Sequence, residues 1–172
     1  MNIVLIGMRG SGKTTIGNFI AKKLDWQFIE TDSLIEKNIG TKISKFVNQS
    51  GWIAFRTVES KFIDNVSNLD SVVISTGGGV VIKKENIRKL KKNGVLIWLT
   101  ASNDTLYNRI KDDRNRPFLT NARSRKEEIK KVFKVREKLY KGAADLVVST
   151  ETNTIEQALH DIYKYLNSKN II

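Results

Sequence analysis

The chain has 172 residues, a length that fits one domain able to bury most of its surface without disulfides or a structural metal. It has no cysteine and one histidine, His160, which excludes disulfides, thiolate metal sites, a cysteine nucleophile and a multi-histidine metal cluster. Lys+Arg outnumber Asp+Glu by 30 to 18, a net charge of +12 that points to an anionic partner: nucleic acid, a membrane surface or a phosphorylated small molecule.

The positive excess is local. Residues 83–141 carry 19 Lys+Arg against 7 Asp+Glu, and the rest of the chain carries 11 of each. Along the chain, Asn2–Ile6 is a short apolar run ending at Gly7, the pattern of a strand buried on both faces. It is too short for a signal-peptide core, and no later run reaches bilayer-spanning length, so a soluble, cytoplasmic protein is expected. Ile16, Phe19, Ile20 and Leu24 recur at helical spacing and predict a helix over Lys13–Leu24. Trp26–Ile29 predicts a second strand. Ser33–Asn68 is mostly helical in pattern, with breaks at Gly40 and Gly51. Val72–Ser75 is a third strand, closed by Gly77-Gly78-Gly79. A basic helix fits Lys83–Asn93, a fourth strand Val95–Leu99 and a helix Asn103–Asp112. The polar stretch over about 112–125 holds the only proline, Pro117, and predicts a lid. A helix over Lys126–Tyr140, a fifth strand over Asp145–Ser149 and a helix over Ile155–Leu166 complete the pattern.

Short apolar strands alternating with amphipathic helices predict a single α/β domain with a parallel sheet covered on both faces. Ligands in such sheets bind outside the carboxyl ends of the strands. Those ends fall at Gly7, at Glu30 to Asp32, at Thr76 to Gly79 and at Thr100.

Gly7-Met8-Arg9-Gly10-Ser11-Gly12-Lys13-Thr14 matches G-x-x-x-x-G-K-[ST], placed between a strand and a helix as that motif requires. Its glycines let backbone N–H groups wrap a phosphate, and the following helix points its N-terminus at the anion. Lys13 supplies a point charge to the terminal phosphates, and the Thr14 hydroxyl suits Mg²⁺. Thr41-Lys42-Ile43-Ser44 lacks the aspartate of a guanine-binding motif. The third strand ends in glycines instead of the carboxylate that helps hold Mg²⁺ in typical ATPases. Acidic groups follow the second strand instead. In Glu30-Thr31-Asp32, which alternates as residues leaving a strand do, Asp32 suits either a substrate hydroxyl or a helix cap. Arg56 and Glu59 lie three apart on a helix, which suits a surface ion pair or a carboxylate-binding guanidinium oriented by Glu59. Gly77, Gly78 and Gly79 allow a ligand to touch backbone. Arg114-Asn115-Arg116-Pro117 places two arginines in the lid, and Arg136-Glu137-Lys138-Leu139-Tyr140 ends a charged helix.

Taken in this order, the motifs resemble the shikimate kinase family, a branch of the nucleoside-monophosphate-kinase-like P-loop proteins. The resemblance runs over nearly the whole chain: the phosphate loop, a D-x-D-like site, F-R-x-x-E, the triple glycine, R-P in the lid, and R-x-x-x-Y. It implies a five-stranded parallel sheet of order 2-3-1-4-5 with helices on both sides. It implies that Gly10, Ser11, Gly12, Lys13, Thr14 and Thr15 bind ATP phosphates, with Mg²⁺ on Thr14 and Glu30 reaching the metal through water. Asp32 would contact ring hydroxyls of shikimate and act as base or orienting group. Arg56, in a substrate-binding region of about 31–62, and Arg136 would grip the shikimate carboxylate, with Gly77, Gly78 and Gly79 also binding substrate. Lys13 and Arg116 would stabilise the transferring phosphoryl group, and Arg109 would stack on adenine. The implied reaction is ATP plus shikimate giving ADP plus 3-phosphoshikimate, a step toward chorismate and the aromatic amino acids, by a monomer with no nucleic-acid or membrane partner. Glu30 stands where the family usually has Asp, and Thr150–Thr154 carries neither the Arg nor the Pro often found there. Another small-molecule kinase of this fold, or a basic P-loop protein binding nucleic acid, shares part of the pattern. The set of Arg56, Arg136 and triple glycine suits a small carboxylate acceptor instead.

Overall fold

The computed structural model describes residues 1–112, 118–151 and 154–172. The described strands are β1 (Asn2–Ile6), β2 (Gln27–Glu30), β3 (Val72–Ser75), β4 (Gly94–Thr100) and β5 (Leu146–Ser149). They form one sheet of order β2-β3-β1-β4-β5, with every neighbouring pair parallel. The described helices are α1 (Lys13–Leu24), α2 (Thr31–Ile39), α3 (Ile43–Ser67), α4 (Lys84–Lys92), α5 (Asn103–Ile110), α6 (Arg125–Ala143) and α7 (Ile155–Ser168). The strand order is the one the resemblance implied.

β1 is buried along its whole length because both of its faces are covered. Ile3 and Leu5 enter a core with Ile16 and Ile20 of α1 and Ile162 and Leu166 of α7. Val4 and Ile6 face the other way, into a core with Ile63 of α3, Leu90 of α4 and Ile129, Val132 and Tyr140 of α6. The period of two along a strand thus sorts adjacent residues into separate layers. A third apolar cluster lies apart from these. Ile35 of α2 and Val47 and Phe55 of α3 pack with Ile39, Phe46 and Trp52.

Three boundaries differ from the sequence pattern in ways that matter to the site. β2 ends at Glu30, and α2 starts at once on Thr31, so Thr31 and Asp32 are helical residues instead of the tail of a strand. Two side-chain bonds hold this abrupt junction. Ser33 donates to Glu30 Oε2 at 2.6 Å, and the Gly77 N–H donates to Thr31 Oγ1 at 3.1 Å. The capping position of α2 is Glu30, so Asp32 does not serve as its N-cap. The expected break at Gly51 is a kink within α3, where that residue leaves helical geometry at φ 79° and ψ 168°. After the triple glycine, a single 3-10 turn over Val80–Ile82 precedes α4.

Candidate active site

The glycine-rich loop leaves β1 and delivers the chain into α1. Gly12 has φ 89°, in the left-handed region where a side chain is disfavoured, and offers no side-chain cap to the first-turn N–H groups of α1. That helix end is therefore built for an anion. The Lys13 ammonium lies over the loop and donates to the carbonyls of Gly7 and Met8 at 3.0 and 2.8 Å. Gly10, Gly12, Lys13, Thr14 and Thr15 all line a groove of about 470 Å³ along the carboxyl edge of the sheet. Ser11 does not line it. It is fully buried, its hydroxyl has no hydrogen-bond partner among the described residues, and its N–H donates to the Met8 carbonyl.

Thr14 donates its hydroxyl hydrogen to Glu30 Oε1 at 2.6 Å, which turns the oxygen lone pairs away from Glu30. The longer glutamate thus reaches the threonine directly. At the far end of the groove, Arg109 donates to the Gly10 carbonyl at 3.1 Å, to Thr150 Oγ1 at 3.0 Å and to the Thr150 carbonyl at 2.6 Å. These in-plane bonds fix the guanidinium edge between the phosphate loop and the residue after β5.

A second cavity, of about 130 Å³, adjoins the groove on the side of α2, α3 and α6. Arg56 and Arg136 both line it. Arg56 Nη1 donates to both carboxylate oxygens of Glu59 at 2.7 Å. Its guanidinium carbon lies 5.3 Å from the ring centroids of both Trp52 and Phe55. The pair is buried, with side-chain exposures of 13% and 1%, so it is not the surface ion pair that spacing alone allowed. Burial pushes the Glu59 carboxyl up from the ordinary range, against the pull of Arg56. Close approach explains Gly79: a methyl group there would stand 2.1 Å from Arg56 Nη2.

Arg136 and Tyr140 are one helical turn apart on α6 and face the same carbonyl. Arg136 donates to Gly78 O at 3.1 Å, and the Tyr140 hydroxyl donates to it as well. Burial lowers the Arg136 pKa, and the Arg56 charge lowers it further. Two neighbouring, partly desolvated cations favour the arrival of an anion, and a planar carboxylate matches their fork geometry.

The groove and the cavity share Arg9, Glu30, Asp32, Gly78 and Ile110 in their linings. Asp32 thus stands where the two meet. Its carboxylate packs over Gly77, whose place would otherwise hold a methyl 2.5 Å from Asp32 Oδ1. The expected substrate-side residues Asp32, Arg56, Gly77, Gly78, Gly79 and Arg136 are all brought to one cavity. The expected lid arginine, Arg116, lies outside the described residues. Sequence reasoning passed over Arg9, Trp52 and Glu128, which line the same space. Glu128 had no local signal, since the S-x-x-E start of α6 ends on its neighbour Glu127, and Arg9 was hidden in a variable position of the phosphate motif.

Among the described residues, no helix is long and apolar enough to cross a membrane, and no three His, Cys, Asp or Glu side chains cluster to hold a metal. A model of the shikimate kinase family matches residues 9–167. A shikimate kinase from Caldicellulosiruptor bescii is 45% identical over 161 residues, covering 94% of this chain and 92% of that protein. One from Pelotomaculum thermopropionicum is 41% identical over 171 residues, covering 99% and 98%. The structure of a shikimate kinase from Acinetobacter baumannii in complex with shikimate superposes with a TM-score of 0.92 at 27% identity, covering 99% of this chain and 95% of that one. Likeness of this extent, running from the phosphate loop into the last helix, places the chain in a family: it belongs to the shikimate kinase family.

Proposed function

We propose that the protein transfers the γ-phosphoryl group of ATP to the 3-hydroxyl of shikimate, releasing ADP and 3-phosphoshikimate. The carrying observation is the junction at Asp32 of a phosphate-loop groove with a small cavity bearing two arginines. In this reading the groove takes ATP and the cavity takes the acceptor. Arg56 and Arg136 hold its carboxylate, which turns the opposite side of the ring toward the groove. Asp32 orients the attacking hydroxyl and receives its proton. The oxygen–phosphorus bond forms as the bond from the γ-phosphorus to the bridging oxygen breaks, and ADP leaves with that electron pair. Lys13 offsets charge on the transferring group, and the family resemblance assigns Arg116 to the same task. Little covalent chemistry is asked of the protein; positioning and electrostatics supply the rate.

The donor set suits Mg²⁺ carried in with ATP. The Thr14 hydroxyl, with Glu30 as its hydrogen-bond acceptor, fits an ion that keeps most of its ligands as water and phosphate oxygen. When bound, that ion neutralises phosphate charge. Thr14 would hold it, and Glu30 would orient Thr14 or a metal-bound water. The enzyme would work as a cytoplasmic monomer.

The test is ADP release with shikimate as acceptor, set beside gluconate, nucleoside monophosphates and water. Stimulation by shikimate alone is expected. Equal release with gluconate or with water would overturn the reading.

A further inference from the structure

We infer that Arg9, in a variable position of the phosphate loop, is a further phosphate-binding residue that acts on the acceptor side of the transfer. This inference rests on the kinase reading above. Among the described residues, Arg9 is the one cation that lines both the groove and the acceptor cavity. Lys13 and Arg109 line the groove without the cavity, and Arg56 and Arg136 line the cavity without the groove. A phosphoryl group crossing from one to the other therefore passes a guanidinium, whose planar fork can donate two hydrogen bonds to non-bridging phosphate oxygens.

The position of Arg9 is supported from a distance. Its guanidinium lies 3.9 Å from the carboxylate of Glu128, and the two side chains are 15% and 2% exposed. That separation gives charge attraction beyond direct hydrogen-bonding reach. Glu128 also accepts from Arg125 Nη1 at 2.7 Å and from the N–H of Leu119. One buried carboxylate thereby ties the phosphate loop to the start of α6 and to the segment just before it. Glu128 is a positioning residue in this arrangement. Arg9 is the group that touches phosphate.

The acceptor carries no phosphate before transfer and carries one afterwards. Arg9 should therefore discriminate product from substrate, which a merely structural side chain would not do. The test measures kcat, and equilibrium binding of shikimate and of 3-phosphoshikimate, for the wild type, Arg9→Met and Arg9→Lys. Arg9→Met is expected to lose about tenfold or more in kcat and in 3-phosphoshikimate affinity, with shikimate affinity held within about twofold, the scale of a lost charge-assisted bond. Arg9→Lys should recover part of both losses, because it restores charge without the fork. Product affinity in Arg9→Met equal to that of the wild type would overturn the inference. If Arg9→Met gives no cooperative thermal melt, Arg9→Gln carries the same two outcomes. Wild-type turnover of shikimate is measured alongside, so failure of the kinase reading shows in the wild type and failure of the Arg9 assignment shows only in the variants.

Discussion

A single carboxylate and a single missing methyl group illustrate how this site depends on individual residues. Asp32 touches both compartments, so its loss should affect chemistry more than binding of the nucleotide. Asp32→Asn keeps the shape and removes the carboxylate proposed above to take the proton. Steady-state kinetics should show turnover reduced by at least ~10²-fold with the KM for ATP nearly unchanged, the scale of general acid–base help. Gly79 is a different case. The atom that an added methyl would strike is the end of a long side chain, so Arg56 can move aside without a backbone shift. It then leaves Glu59 and the ring faces of Trp52 and Phe55. Gly79→Ala should therefore raise the KM for shikimate by roughly tenfold, about 1.4 kcal/mol of binding, and lower Tm as well, because Glu59 stays buried without its partner. The KM for ATP should stay put, because Gly79 lines only the acceptor cavity.

At the level of elements, the helices divide by task. α1 presents its N-terminus to the nucleotide groove, whereas α6 presents one side along its length to the acceptor cavity through Glu128, Ile129, Val132 and Arg136. α6 also starts from a defined cap: Ser124 Oγ accepts from the Glu127 N–H. Ser124→Ala should cost about 1 kcal/mol of stability, the usual worth of such a cap. Arg136 lies three turns further along the helix, clamped on Gly78, so the KM for shikimate should be unaffected. Urea denaturation and steady-state kinetics on the same variant separate the two effects. α2 and the first half of α3 bury Ile35, Val47 and Phe55 in their own small cluster, apart from the cores that flank the sheet. That packing shapes the α2–α3 side of the cavity, while Thr31 and Leu34 join α2 to the sheet and its core.

On the scale of the whole molecule, the net charge of +12 is largely a surface property. Several cations of the basic segment face carboxylates nearby: Arg88 with Glu85, Lys89 with Asp64, Lys91 with Asp145 and Lys126 with Asp104. Exposed pairs of this kind add little to stability. Buried ionisable groups matter more to it. Burial pushes Tyr140 up from 10.0 to about 12. Its hydroxyl stays protonated in the folded state after the unfolded chain has begun to lose that proton. The stabilising contribution is therefore complete below 10.0 and lost as pH rises through about 12. Denaturation of the wild type and Tyr140→Phe across that alkaline range should show the wild-type advantage shrinking by about 2 to 3 kcal/mol. A constant difference would show that Tyr140 ionises alike in both states.

Much of the architecture was legible in the linear chain. The phosphate motif, the strand at Asn2–Ile6 and the helix at Lys13–Leu24 follow from backbone preferences and apolar spacing that act over a few residues. The positions of Asp32, Arg56, the triple glycine and Arg136 were legible as motifs too, but not their mutual geometry. Asp32 could be a cap or a catalytic group, and the pair of Arg56 and Glu59 could be a solvated ion pair. Folding excluded the cap, by starting α2 at Thr31, and the solvated pair, by burying Glu59. The same holds for Arg136 and Gly78, which are 58 positions apart in sequence and meet only because α6 crosses the carboxyl end of β3. Arg9 and Glu128 show the limit most plainly. Neither stands at a motif position, yet one joins the two compartments and the other braces it. Periodicity and turn chemistry are local, so sequence alone determined the elements, the phosphate loop and the inventory of charged groups. Which of those charges lose water and face one another depends on long-range packing of the sheet and its helices, and only the tertiary structure settles that.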